Sequence, residues 1–127
     1  MAIFTHVTVG TNNLAKSREF YDAVLAPLGL KRLKDLGDRG SCWGVQSEEF
    51  IVLTPADGKP ATAANGGTVS FSAPSRAAVA AFHKAALAQG GKDEGAVGPR
   101  GFWPHAYAGY CRDLDGNKLA CYCTKPE

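Results

Sequence analysis

His6-Val7-Thr8-Val9 and Thr68-Val69-Ser70-Phe71 are two versions of one alternating pattern, 62 residues apart. The same offset relates Phe20-Tyr21 to Phe82-His83 and Leu25-Ala26 to Leu87-Ala88. Each copy reads as a short strand leading into a helix that ends at glycine, Gly29 first and Gly90 second. A strand–helix unit that recurs in this way describes a duplicated module. The copies differ where chemistry would sit: His6, a metal ligand by residue type, is answered by Thr68.

Outward from these stretches, residues 3–9 alternate, with Ile3, Thr5, Val7 and Val9 on one face and Phe4, His6 and Thr8 on the other. Asn12 or Asn13 can cap a helix from Leu14 to Leu25, in which Leu14, Phe20, Tyr21, Val24 and Leu25 recur at helical spacing. Strands are predicted near 30–36, 41–47 and 49–54. Residues 55–67, rich in Pro, Gly and Ala, read as a linker. The second copy runs from a strand at 68–73 to a helix capped by Ser75 and reaching Gln89. A strand near 91–95 and a loop at 96–106 follow. A hairpin closes it, with strands 107–112 and 118–123 about the turn Asp113–Asn117. The expectation is one α+β domain over 1–127, with module one at about 1–54 and module two at about 68–127.

Strand parity predicts a polar face. Val69, Phe71 and Ala73 pack one way; Thr68, Ser70 and Ser72 face the other, as His6 and Thr8 do on the first strand. With a two-residue turn at Asp115-Gly116, Cys111 falls opposite Ala120, so that Tyr107, Cys111, Ala120 and Tyr122 join the same wall. The expected cup is lined by His6, Thr8, Thr68, Ser70, Tyr107, Cys111, Ala120 and Tyr122.

Composition excludes several classes. Of 127 residues, 45% are hydrophobic, enough for a core, and the net charge of +2 comes from scattered basic residues. A nucleic-acid surface needs a concentrated basic face. No apolar run has the length of a membrane span. The N-terminus opens directly into a strand pattern without a basic leader, so a cytoplasmic location is expected. The four cysteines, Cys42, Cys111, Cys121 and Cys123, include no C-x-x-C pair and read as reduced thiols.

The chain resembles the vicinal oxygen chelate superfamily, which holds glyoxalase I, bleomycin-resistance proteins and extradiol dioxygenases. The resemblance rests on His6-Val7-Thr8-Val9, Ala15-Lys16-Ser17-Arg18-Glu19-Phe20-Tyr21 with Leu28-Gly29, Ala73 through His83, and Arg112-Asp113-Leu114-Asp115-Gly116-Asn117. It implies two βαβββ modules whose mixed sheets form a cup, commonly in homodimers. In metal-dependent members, a divalent ion held by a few fixed ligands keeps open positions for two substrate oxygens. By position those ligands fall on His6, Thr68 and Ala120. A hydroxyl replaces imidazole poorly and a methyl group cannot ligate, so no metal or other cofactor is expected.

The residues then point to a small molecule, aromatic or carboxylated, bound in the cup as a bleomycin-resistance protein binds its ligand. The candidate binding residues are His6, Thr68, Arg100, Trp103, His105, Tyr107, Cys111 and Tyr122. Arg100 is a candidate to grip a carboxylate, and Trp103, His105 and Tyr107 to form an aromatic wall. The competing reading is a glyoxalase-type lyase or isomerase, or a dioxygenase-like enzyme. It would use His6, the best catalytic candidate, as general base or with a divalent metal. Cys111 reads as a small apolar filler before a nucleophile. The Asp113–Asn117 segment lacks the spacing of a calcium loop. The expected partners are the small molecule and a second copy of the chain, with no nucleic acid or membrane.

Overall fold

The computed structural model describes residues 3–127; Met1 and Ala2, where the expected start of module one falls, lie outside it. Module one comprises β1 (Val7–Gly10), α1 (Leu14–Leu25), a 3-10 turn (Ala26–Leu28), β2 (Lys31–Asp35), β3 (Gly40–Gly44) and β4 (Phe50–Leu53). Module two comprises β5 (Val69–Ser72), α2 (Arg76–Ala88), β6 (Lys92–Pro99), β7 (Tyr107–Arg112) and β8 (Lys118–Cys123). Each module carries one open four-stranded mixed sheet, ordered β1-β4-β3-β2 and β5-β8-β7-β6. The first strand pairs parallel to the last in both, Val7 to Phe50 and Val69 to Leu119.

The repeat has a local cause in each helix. Asn13 accepts from the Lys16 amide and Ser75 from the Ala78 amide, supplying partners for first-turn N–H groups that have none within the helix. Past each helix end the chain reverses at a left-handed glycine, Gly29 at φ 80° and Gly90 at φ 95°, a conformation that side chains resist.

Both helices lie on the same side of their sheets and pack against each other, so the modules share one core. An aromatic ladder crosses it: Tyr21 to Phe50 at 4.9 Å between ring centroids, Phe50 to Phe71 at 5.1 Å, and Phe71 to Phe82 at 5.9 Å. Phe20 and Phe82, equivalent in the repeat, are both fully buried. Rings of this size contribute about 1.5–3 kcal/mol each on burial, so the shared core binds the modules into one unit.

Three expectations need correction. The first strand begins at Val7, not residue 3; Ile3 and Phe4 are highly exposed, so their alternation pairs with nothing. β3 ends at Gly44, where a Cβ would lie 1.8 Å from the Ser47 carbonyl oxygen, and Val45–Ser47 turn back toward β4. β6 runs on to Pro99 instead of stopping near 95, which shortens the following loop to 100–106. Register shifts beside Gly95 and between Gly95 and Gly98 let this glycine-rich stretch stay paired with β7.

Candidate functional site

The open face of each sheet lies opposite the helices. On module two its composition is set by the last hairpin. Asp113 N–H donates to Asn117 C=O, closing a three-residue loop of Leu114, Asp115 and Gly116, with Gly116 at φ 89°. This is a loop with glycine in the left-handed position, not the two-residue turn expected at Asp115-Gly116. One extra loop residue slips the register by one, and a slip of one exchanges the faces of a strand. Tyr110 now pairs with Ala120, Cys111 with Leu119 and Tyr107 with Cys123.

Two sequence-predicted wall residues are therefore on the other side. Cys111 is fully buried in the core and Tyr107 packs against that core, its ring under the Arg76 guanidinium at 4.9 Å. Burial pushes the Cys111 thiol up to about 12, so it carries no thiolate at neutral pH. The residue that parity brings to the open face is Tyr110. The signal that could have found it was the glycine at the third loop position.

What assembles on the open face of module two is an aromatic cluster. The Tyr110 and Tyr122 hydroxyls hydrogen-bond to each other, with ring centroids 5.9 Å apart and nearly perpendicular planes. Trp103 meets Tyr122 edge-on at 5.7 Å and is itself 59% exposed. Two cations attend Tyr110: Arg100 Cζ at 5.6 Å and Lys118 Nζ at 5.4 Å from its centroid. Burial, then the bond to Tyr110, pushes the Tyr122 hydroxyl up to about 12.

Arg100 does not stand ready as a carboxylate clamp. Its Nη1 donates to the Gly98 and Pro99 carbonyls and its Nη2 to the Ala96 carbonyl. It ties the 100–106 loop to β6, and so holds Trp103 against Tyr122. His105 is exposed in that loop at φ 63°, the one non-glycine left-handed residue among those described, and its ring makes no hydrogen bond. His83 and Asp93 pair at 3.0 Å on the helix side of the sheet, apart from the open face.

β1 and β5 are edge strands of their sheets and together line two cavities along the seam between the modules. A cavity of about 280 Å³ joins Val7 to Ser70, Phe71 and Ser72; another of about 350 Å³ joins Thr8, Val9 and Gly10 to Thr68 and Lys118. His6 stands just before β1 and lines neither cavity, whereas Thr68 lines the second. His6 is exposed, and its Nδ1 is 3.0 Å from Thr5 Oγ1.

The donor set does not fit a chelated metal. Ala120 offers a buried methyl and Thr68 a neutral hydroxyl, which leaves His6 as the one imidazole of the three positions. Among the described residues no three His, Cys, Asp or Glu side chains converge, whereas metal sites need several ligands at once.

The fold agrees with comparison to known proteins. The family model for the glyoxalase/bleomycin resistance protein/dioxygenase superfamily matches residues 3–121. The chain belongs to that superfamily. It is similar to a glyoxalase/bleomycin resistance protein from Albidiferax ferrireducens T118, at 37% identity over 98% of this chain and 100% of that one, with a TM-score of 0.87. Lactoylglutathione lyase from Agrobacterium tumefaciens shares the fold at 20% identity, covering 97% of this chain and 94% of that one, with a TM-score of 0.66. A fosfomycin resistance protein from Mesorhizobium loti does so at 12% identity, 98% and 94% coverage, and a TM-score of 0.69. No curated protein matches the chain. Among the described residues no helix is long and apolar enough to cross a membrane.

Proposed function

We propose that this chain binds a small aromatic molecule on the open face of module two, without the metal that serves other members of the superfamily. The observation that carries the reading is the Trp103–Tyr122–Tyr110 cluster, with Arg100 holding its loop in place. Stacking aromatics beside polar groups are the usual lining of a small-molecule site. An exposed tryptophan held edge-on to a tyrosine offers a planar ligand a ready surface. Ser70 and Ser72, which pair with Ala120 and Tyr122, supply hydroxyls along its side toward the seam.

The protein works as a sequestering binder, as a homodimer in the cytoplasm. Four buried free thiols suit a reducing compartment. Ile3, Phe4, Phe102 and Trp103 leave apolar surface for a second copy or for the ligand. The test is a screen of small aromatic and carboxylated compounds against a Trp43→Phe protein, in which Trp103 is the one remaining tryptophan. Saturable change in Trp103 emission, abolished by Tyr122→Ala, is expected. A screen with no saturable response overturns the reading.

A further inference from the structure

Ala120, at the third of the superfamily's ligand positions, is surrounded by hydrogen-bond donors. It is fully buried, with Ser70 opposite on β5 and Tyr110 opposite on β7. Lys118 and Tyr122 stand two residues to either side and so share its face. The Tyr110–Tyr122 contact places one hydrogen between two oxygens, which leaves the other O–H pointing outward. A hydroxyl that accepts one bond while donating another is a stronger donor. Lys118 forms no ion pair among the described residues; Glu94, the nearby carboxylate on β6, is held by Arg112 at 2.8 Å. The raised Tyr122 hydroxyl keeps its proton at neutral pH, so the pair gives hydrogen bonds and does not act as a base.

We infer that Tyr110, Tyr122 and Lys118 form a seat for the oxyanion of an aromatic ligand, a phenolate or ring carboxylate whose ring lies against Trp103. Hydrogen-bond donors here take the part that a Lewis acid plays elsewhere in the superfamily: they neutralise negative oxygen. Donors already oriented by the sheet do this without first reorganising. The inference rests on the open face of module two being the ligand site, and it adds the charge of what binds there.

Calorimetry with 4-nitrophenol and its neutral ether, 4-nitroanisole, separates the two claims. The full chain is expected to prefer the phenolate, and the visible phenolate band of bound 4-nitrophenol to persist to lower pH than in free solution. Tyr122→Phe and Lys118→Met should each weaken phenolate binding about tenfold, the size of one hydrogen bond to a charged group. Both should weaken 4-nitroanisole binding much less than phenolate binding, and Lys34→Met, on module one, should alter neither. Lys118→Met changes a half-buried surface residue, so the test survives if Tyr122→Phe fails to fold. Equal affinity for the ether and the phenolate, or equal losses for both in the variants, overturns the seat and leaves the aromatic site standing. Binding of neither compound overturns the seat, and with a negative Trp103 screen it overturns the site as well.

Discussion

The Tyr21 hydroxyl, on α1, donates a 2.5 Å hydrogen bond to Asp113 Oδ2 at the root of the last hairpin, joining module one to module two through the core. Asp113 is 5% exposed, and its carboxylate is saturated. Oδ1 accepts from the Asp115 and Asn117 amides, and Oδ2 also from Asn117 Nδ2. The hairpin is tied to module one a second time, where Asp115 accepts from the Asn12 amide and Asn117 donates to the Gly10 carbonyl.

Tyr21→Phe is therefore expected to cost about 1.5–3 kcal/mol, the value of a hydrogen bond to a charged group. Asp113→Ala should cost more, because it strands four donors at once, three of them in the turn that sets the register of β8. Urea unfolding measures both. An Asp113→Ala loss smaller than that of Tyr21→Phe would contradict the picture of a clamp.

Alkali should weaken the fold. Cys111 and Cys121 are pushed up to about 12 by burial, from an ordinary 9.0. Tyr21 is raised well above its ordinary 10.0 by burial and by the Asp113 charge. Each group keeps its proton in the folded chain after the unfolded chain has released it. Their contribution is complete below the unfolded values and is lost as pH rises through them, at about 1.4 kcal/mol per pH unit per group. The thermal midpoint should fall steadily above about pH 9. A midpoint flat from there to pH 11 would be inconsistent with buried, protonated thiols.

All four cysteines are buried and free. A thiol reagent of the aryl-disulfide type should label none of them rapidly in native protein and all four in denaturant. Rapid native labelling at Cys111 would place it on the open face after all and would reverse the register described for β7 and β8.

Gly91 sits where the end of α2, β7 and the Phe20 ring of module one close on the backbone. A Cβ there would lie 2.6 Å from the Arg112 carbonyl oxygen, 2.8 Å from that of Ala86 and 3.1 Å from the Phe20 ring. Gly91→Ala should cost about 1–3 kcal/mol by overpacking. Gly101→Ala, where a Cβ meets nothing within 4 Å, should stay within about 0.5 kcal/mol. Equal effects would show that the junction yields more easily than its distances indicate.

Much of the fold could be read from local rules. The caps at Asn13 and Ser75, the reversals at Gly29 and Gly90, and the polar faces of β1 and β5 each follow from a few neighbouring residues. What escaped depended on a single residue or on long-range contact. A three-residue loop in place of a two-residue one exchanged Tyr110 for Tyr107 and Cys111 on the open face. Pairing across the bulges of β6 shortened the loop that carries Trp103. The Tyr21–Asp113 bond spans 92 residues of sequence and has no local signature.

The measurement that bears most directly on metal-free binding is the metal content of the purified full chain by elemental mass spectrometry. It would be taken before and after incubation with nickel, zinc, manganese and ferrous iron, with Trp103 titrations repeated after a chelator. The proposed metal-free binding predicts no stoichiometric metal under any condition and unchanged ligand affinity. One equivalent of metal, lost in His6→Ala together with ligand binding, would contradict it.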